Sequence, residues 1–321
     1  MLENVSIDIV LATYNGEKFL HEQLESIQKQ TFQNWRLLIR DDGSWDNTIA
    51  ILEEFVENDK RISLIRDNEN NLGPCKNFEV LLKHTEAEFI FFSDQDDVWP
   101  SNRIEKLIGF LNTLPKGEVV LHPLLLHTEL KLIDAGGTII ADSYYTTVKR
   151  NPYRKELSRI LVRNIVIGCS MLINRNMRDL ILPFPENIVM HDYYLAIVAE
   201  LFGVRHFLPG SFIFYRQHEG NVVGVSLKKT GLFRKLNTFL HLNLNSRLVK
   251  NRKQILSISK KFEEKIGKED VTIIHAYDKL LATKSPLTKL ILMLRYHFFA
   301  DNFVDNLKLI KTYCSINKRY L

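Results

Sequence analysis

Cysteine is scarce in this 321-residue chain: there are three, Cys75, Cys169 and Cys314. They are odd in number, far apart and never in a Cys-x-x-Cys spacing, which argues against a disulfide framework and against a thiolate zinc site. Long apolar runs are missing too. No segment holds the ~18 or more consecutive apolar residues of a membrane span. Met1-Leu2-Glu3-Asn4 leads into a strand-like segment without the basic and apolar regions of a signal peptide. A reducing, cytoplasmic location is therefore expected. There is no internal repeat and no low-complexity tract. With 45% hydrophobic and 25% charged residues, the composition is that of a folded globular protein.

Acidic residues are scarce in the back third. From Val225 to Leu321 there are 20 Lys+Arg against 7 Asp+Glu, and the first 224 residues hold the other 23 and 31. The net charge of +5 thus hides a front of −8 and a back of +13. That asymmetry suggests a catalytic domain over 1–225 and a basic helical extension over 226–321. In the extension, Lys228, Lys229, Arg234, Lys235, Arg247, Lys250, Arg252 and Lys253 lie among Leu232, Phe233, Phe239 and Leu240. Helices of this kind dock on anionic membrane surfaces. The plainer alternative is a solvated helical cap on the catalytic domain. Nucleic acid is the weakest partner, because no recognised nucleic-acid module is visible.

What the front half does have is a regular alternation. Val5–Thr13 is a β-branched apolar run, Glu17–Lys29 has helical spacing, Trp35–Arg40 reads as a strand and Thr48–Glu57 as a helix. Ile62–Ile65 is a short strand, and Cys75–His84 is a helix opened by Pro74, a favoured first-turn residue. Glu88–Ser93 is an apolar strand, and Ser101–Leu111 is a helix with Asn102 and Glu105 spaced like a capping box. The pattern predicts an α/β fold with a mainly parallel sheet flanked by helices. Ligands of such sheets bind beyond the carboxyl ends of the strands, so the turns after Thr13, Arg40 and Ser93 should line one site. The stretch of roughly 118–224 is less regular: Ile165–Ile173 and Ser211–Tyr215 read as strands, and Asp192–Leu201 as a helix.

Chemistry-bearing residues collect at those turns. Asp94-Gln95-Asp96-Asp97 puts three carboxylates in four residues at the end of a buried strand, where repulsion and desolvation are costly. A hard divalent cation, Mg²⁺ or Mn²⁺, removes that cost and keeps coordination positions open for phosphates. The alternative is a solvated acidic turn. Asp41-Asp42-Gly43-Ser44 is either a plain Asp-Gly turn or the carboxylate that accepts a pyrimidine imide N–H. Thr13-Tyr14-Asn15-Gly16 lets Tyr14 pack near a base. Lys76 stands near a helix start, where a diphosphate is favoured, or is simply a surface lysine. Asp192 fits a general base or a helix cap. A His-Asp pair on helices also suggests an all-α metal phosphohydrolase, which the α/β front half argues against. His218, in Tyr215-Arg216-Gln217-His218, fits a metal ligand, with Arg216 or Asn221 on phosphate; a lone histidine is more often structural.

Leu11–Gly16, Asp41–Asp46, Asn71–Asn77, Ser93–Trp99, His191–Asp192 and Tyr215–Asn221 together resemble, in order, the inverting family 2 glycosyltransferases. The forms Ser-Asp-Gln-Asp-Asp-Val-Trp and Tyr-Arg-Gln-His-Glu-Gly-Asn look most like bacterial rhamnosyltransferases of cell-wall and capsular polysaccharide synthesis. The resemblance implies a GT-A (Rossmann-like) fold with a nucleotide-binding half, 1–115, and an acceptor-binding half, 116–225. It also implies a dTDP-L-rhamnose donor and a lipid-linked oligosaccharide acceptor. It makes Thr13, Tyr14, Asn15, Asp42, Lys76 and Asp94 nucleotide contacts, and Asp94, Asp96 and His218 metal ligands. Asp192 becomes the catalytic base, and Trp99, Gly168, His191 and Arg216 line the sugar and acceptor pocket. Many relatives have a glutamate before the base aspartate; here it is His191, whose role the resemblance leaves undefined. A UDP-hexose donor is the nearest alternative. A nucleotidyltransferase should carry a glycine-rich basic loop after the first strand, which this chain lacks. A non-catalytic glycan-binding module would have no use for the acidic quartet and a candidate base.

Overall fold

A computed structural model describes residues 5–219 and 236–315, the side chains of 236–246 and 315 aside. The strands are β1 (Ile7–Thr13), β2 (Trp35–Asp41), β3 (Ile62–Leu64), β4 (Phe89–Ser93), β5 (Leu124–Ile133), β6 (Ile139–Ala141), β7 (Met171–Asn174) and β8 (Val204–Arg216). The helices before the last strand are α1 (Leu20–Gln28), α2 (Thr48–Asn58), α3 (Pro74–Lys83), α4 (Arg103–Leu111), α5 (Lys116–Leu121), α6 (Tyr144–Val148), α7 (Leu157–Val162), α8 (Arg175–Ile181) and α9 (His191–Phe202). Four more follow: α10 (Leu236–Lys261), α11 (Lys268–Ala282), α12 (Pro286–Tyr296) and α13 (Phe303–Ser315).

One sheet runs β3-β2-β1-β4-β7-β5-β6, with β8 on β5. β3, β2, β1 and β4 are parallel neighbours, while β7 is antiparallel to both β4 and β5. Period-two alternation sends Phe89 and Phe91 to one face and Ile90 and Phe92 to the other, so the sheet separates two cores. Near-continuous apolar strands such as β4 are what a sheet covered on both faces requires. Asp8, buried in β1, is compensated by two bonds from Arg36 (2.9 and 3.0 Å) and by the amides of Glu86 and Ala87 (2.7 and 3.0 Å).

Several sequence expectations are corrected. The run Ile165–Ile173 is not one strand: a 3₁₀ turn occupies Gly168–Ser170, and only Met171–Asn174 pairs. β5, ten residues long, lies in the stretch that reads as irregular. Its apolar pattern is broken by His127 and Thr128, both buried; His127 meets Tyr145 Oη (3.1 Å) and Arg205 (3.0 Å). The capping box of α4 does not form: Asn102 makes no side-chain cap bond, and Glu105 instead accepts from Thr31 Oγ1 (2.7 Å).

α9 is buried almost all round, which places it inside the protein and not on its surface. The C-terminal helices do not stand apart from it. Ile258, Phe262, Tyr277 and Leu280 join the same core as Leu195 and Val198 of α9. No helix among the described residues is long and apolar enough to cross a membrane. Lys228, Lys229, Leu232, Phe233, Arg234 and Lys235 lie outside the described residues, as do the side chains of Phe239 and Leu240.

Candidate active site

The turns after β1, β2 and β4 are stitched together. Tyr14 donates its amide to Gln95 Oε1 (2.8 Å) and accepts from Gln95 Nε2 (3.0 Å). Asn15, in the left-handed region at φ 48°, donates to Ser44 Oγ (2.7 Å) and accepts from the Trp45 amide (3.0 Å). Thr13 is buried and donates to Asp41 Oδ1 (2.8 Å). Thr13 and Asn15 therefore shape the turn, while the Tyr14 and Trp45 rings stand exposed beside it.

Asp42 is buried and committed to its own chain. It accepts from Arg40 (3.2 Å) and from the amides of Leu72 (2.9 Å) and Gly73 (2.8 Å), which fixes the turn leading into α3. Lys76 is not a free cation either: its ammonium lies 2.6 Å from Glu79. At the mouth of α3, burial and the nearby Asp192 push the Cys75 thiol up to about 12.

The acidic quartet divides in two. Asp96 points outward and meets His218 Nε2 at 2.7 Å, beside the Phe19 ring. Asp94 and Asp97 point inward, and with the Cys169 thiol they offer three ligand atoms within 4.8 Å of one another. Burial raises Asp94 to about 7, and the negative charges of Asp96 and Asp192 add to the shift. Burial, with the charges of Asp96 and Asp94 adding to it, raises Asp97 well above the usual range. The two crowded carboxylates offer the hard oxygens that a divalent cation can neutralise, whereas the Cys169 thiol, kept protonated by burial, is a soft donor that Mg²⁺ and Mn²⁺ do not favour. Asp97 and Cys169 are additions that the sequence reading lacked. The quartet hinted at Asp97, but nothing local marks Cys169.

Asp192 is the second residue of α9. The N-cap is Met190, so Asp192 does not cap the helix, although it accepts the Tyr193 amide (2.6 Å). Burial raises its carboxyl to about 6, against the opposing pull of the Tyr193 amide, Asn164 and the charges of Arg247 and Arg150. A carboxylate with that value is largely ionised at neutral pH yet basic enough to take a proton.

Three residues expected in the sugar pocket are in the core instead. Trp99 is buried between Phe91 (6.0 Å) and the Arg103 guanidinium (4.3 Å). Arg216 is buried and clamps Glu22 (2.6 Å) and the carbonyls of Asp96 (2.8 Å) and Ala135 (3.2 Å), which holds the quartet against β8. His191 packs against Phe78 (4.1 Å) and Phe92 (5.6 Å), and burial lowers it to about 3, so it stays neutral. Each of these side chains looks available in sequence because nothing local reports burial. Gly168, the fourth, does lie beside Asp192. Asn221 is outside the described residues.

Gly168 is needed for its size. A Cβ there would lie 2.9 Å from His191 Nε2 and 3.9 Å from Asp192 Cβ. The two phenylalanine rings leave His191 nowhere to go. Gly168→Ala is expected to cost about 1–3 kcal/mol of stability and to lower turnover by displacing Asp192. Thermal denaturation and initial rates check this; an unchanged melting temperature would show that the ring yields freely.

Comparison with known proteins decides the class. The glycosyl transferase family 2 model matches residues 8–217. The chain belongs to that family. This family 2 glycosyltransferase is 28% identical over 236 residues to dTDP-rhamnosyl transferase RfbG of Shigella flexneri, covering 70% of this chain and 78% of that protein. It is 29% identical over 195 residues to the UDP-Glc:alpha-D-GlcNAc-diphosphoundecaprenol beta-1,3-glucosyltransferase WfgD of Escherichia coli, covering 60% and 69%. Among solved structures, TarS 1–349 of S. aureus in complex with UDP-GlcNAc aligns over 98% of this chain and 91% of that one, at a TM-score of 0.54 and 20% identity. The Pyrobaculum calidifontis mannosyltransferase PcManGT, solved with GDP-Man and Mn²⁺, aligns over 99% and 82%, at 0.52 and 15%. These structural likenesses establish the GT-A fold.

Proposed function

We propose that this glycosyltransferase transfers L-rhamnose from dTDP-L-rhamnose, with inversion, to a growing, lipid-linked cell-wall or capsular polysaccharide on the cytoplasmic side of the membrane. The observation that carries the reading is a half-buried carboxylate of raised basicity, Asp192, within electrostatic reach of Asp94. The donor's base rests on the wall built by Thr13, Tyr14 and Asn15 and by the turn that Asp42 holds. Asp94 and Asp96, with His218 beside Asp96, would hold Mg²⁺ or Mn²⁺, which would supply positive charge against the leaving diphosphate.

Asp192 takes the proton of the acceptor hydroxyl. That oxygen forms its bond to the anomeric carbon while the bond to the diphosphate oxygen breaks, and the electron pair leaves with dTDP. One displacement inverts the centre, through a transition state of oxocarbenium character like that at glycosidase sites. Gly168 leaves room at the base, and Arg216 positions the quartet from behind.

A second reading, a UDP-hexose donor, is favoured by the comparable likeness to a UDP-Glc-dependent relative. A panel of dTDP-rhamnose, UDP-glucose, UDP-N-acetylglucosamine and GDP-mannose separates the two. Hydrolysis in the presence of Mn²⁺ is expected with dTDP-rhamnose. Preference for a UDP sugar would shift the donor assignment, and no turnover with any of the four would count against this catalytic reading.

A further inference from the structure

α12 and α13 each leave an apolar stripe uncovered among the described residues. On α12, Leu287, Leu290, Ile291 and Leu294 fall at i, i+3, i+4 and i+7, between 46% and 67% exposed. On α13, Phe303, Leu307 and Ile310 repeat the pattern at i, i+4 and i+7, and Phe303 is 76% exposed. The opposite faces are anchored: Leu292, Met293 and Tyr313 are buried, and Lys289 donates to the Tyr313 carbonyl. Large apolar side chains in contiguous stripes are unusual on a lone soluble surface and mark a docking face.

The charges around the stripes are of one sign. From 284 to 314 the exposed ionised side chains are Lys284, Arg295, Lys308 and Lys311. The two acids of that stretch are already paired, Asp301 with Arg154 (3.3 Å) and Asp305 with Arg163 and, at 3.6 Å, with Lys308. Between α11 and α12 lies an open groove of about 410 Å³ that contacts Ile291 of the stripe. Its lining is mainly apolar, with Ala276, Ile291 and Leu292, while Lys279 and Arg295 supply the cations at which a phosphodiester oxygen can be held.

We propose that α12 and α13 form a docking face that lies flat in an anionic phospholipid leaflet, with the α11–α12 groove taking a lipid head-group phosphate. A second copy of the chain is the poorer occupant, because it would set these cations against their own equivalents, whereas an anionic leaflet neutralises them. Leu and Phe side chains enter the acyl boundary while Lys and Arg stay at head-group level. This assigns the membrane contact to 284–314, beyond the basic stretch 228–253 that the sequence pattern suggests.

The face is tied to the residues beside Asp192. Arg159 donates to the Phe299 carbonyl (2.7 Å), and Arg163 pairs with Asp305. Arg163 adjoins Asn164, whose side chain hydrogen-bonds the Asp192 carboxyl. Docking would hold Asp192 at a fixed height over the membrane; that purpose, unlike the docking itself, rests on the lipid-linked acceptor proposed above.

The test is flotation of the full chain with vesicles of phosphatidylcholine, with and without phosphatidylglycerol. The parent protein is expected to float with the anionic vesicles and not with the neutral ones. L290E/L294E and, separately, F303S/L307E should each reduce the bound fraction by about tenfold or more. Sugar-nucleotide hydrolysis in solution and the melting temperature should stay unchanged, since all four side chains are exposed. Hydrolysis reports the glycosyltransferase reading independently, so failure of one leaves the other standing. Undiminished flotation of both variants would overturn the proposal. A parent that ignores vesicles and sediments as a dimer, becoming monomeric in the variants, would overturn it in favour of self-association.

Discussion

Asp192→Asn is expected to bind the sugar nucleotide as the parent does and to lose transfer by about 10²–10⁴-fold, the range typical of a removed general base. The amide is nearly the same size and can still accept the Tyr193 amide, so the start of α9 should keep its shape. What disappears is the lone pair that takes the acceptor proton. The pH profile gives an independent check. Burial holds Asp192 at about 6, above the usual carboxylate range, so the folded carboxyl is protonated more readily than a free one. Transfer by the parent should therefore fall as pH drops through about 6 and level off above it, and the residual rate of the variant should show no such limb. Isothermal titration with dTDP and initial-rate measurements across pH decide the matter. Full transfer by Asp192→Asn would remove this residue from the base role.

Asp96→Ala is expected to abolish the part of donor binding that depends on a divalent cation. Asp96 is the carboxylate of the quartet that meets His218, at 2.7 Å. Asp94 and Asp97 remain, but they are crowded, buried and hard to ionise. Loss of a direct ligand should exceed the roughly 10–100-fold that losing an outer partner of a metal site costs. Calorimetry of dTDP binding with Mn²⁺ and with chelator is the measurement. In the parent the two titrations should differ strongly; in Asp96→Ala they should coincide. Unchanged Mn²⁺-dependent affinity in the variant would place the cation elsewhere.

How much was legible in sequence follows from what each signal measures. β1, β2, β4 and α3 are readable within a residue or two, because apolar runs and Pro74 act over a few neighbours. The turns that meet at the sheet edge are readable as well, since a parallel alternation puts the carboxyl ends of β1, β2 and β4 on one side. β5 was not, because buried His127 and Thr128 interrupt its apolar run, and the partners of His127, Tyr145 and Arg205, lie far along the chain.

The sequence by itself determined the α/β alternation, the acidic quartet, the His-Asp pair and the split of charge between front and back. Only the tertiary structure decided which polar groups are spent inside the protein. Arg216, Trp99 and His191 look like ligand residues one by one and become scaffolding once β8, α4 and α9 close over them. Cys169 looks inert and comes to share a space with Asp94 and Asp97. The reason is that local propensity and periodicity act over a turn or a strand pair, whereas burial, ion pairing and raised basicity depend on groups tens of residues apart. The spacing of Asp94 and Asp192 along the chain carries no trace of the field they share.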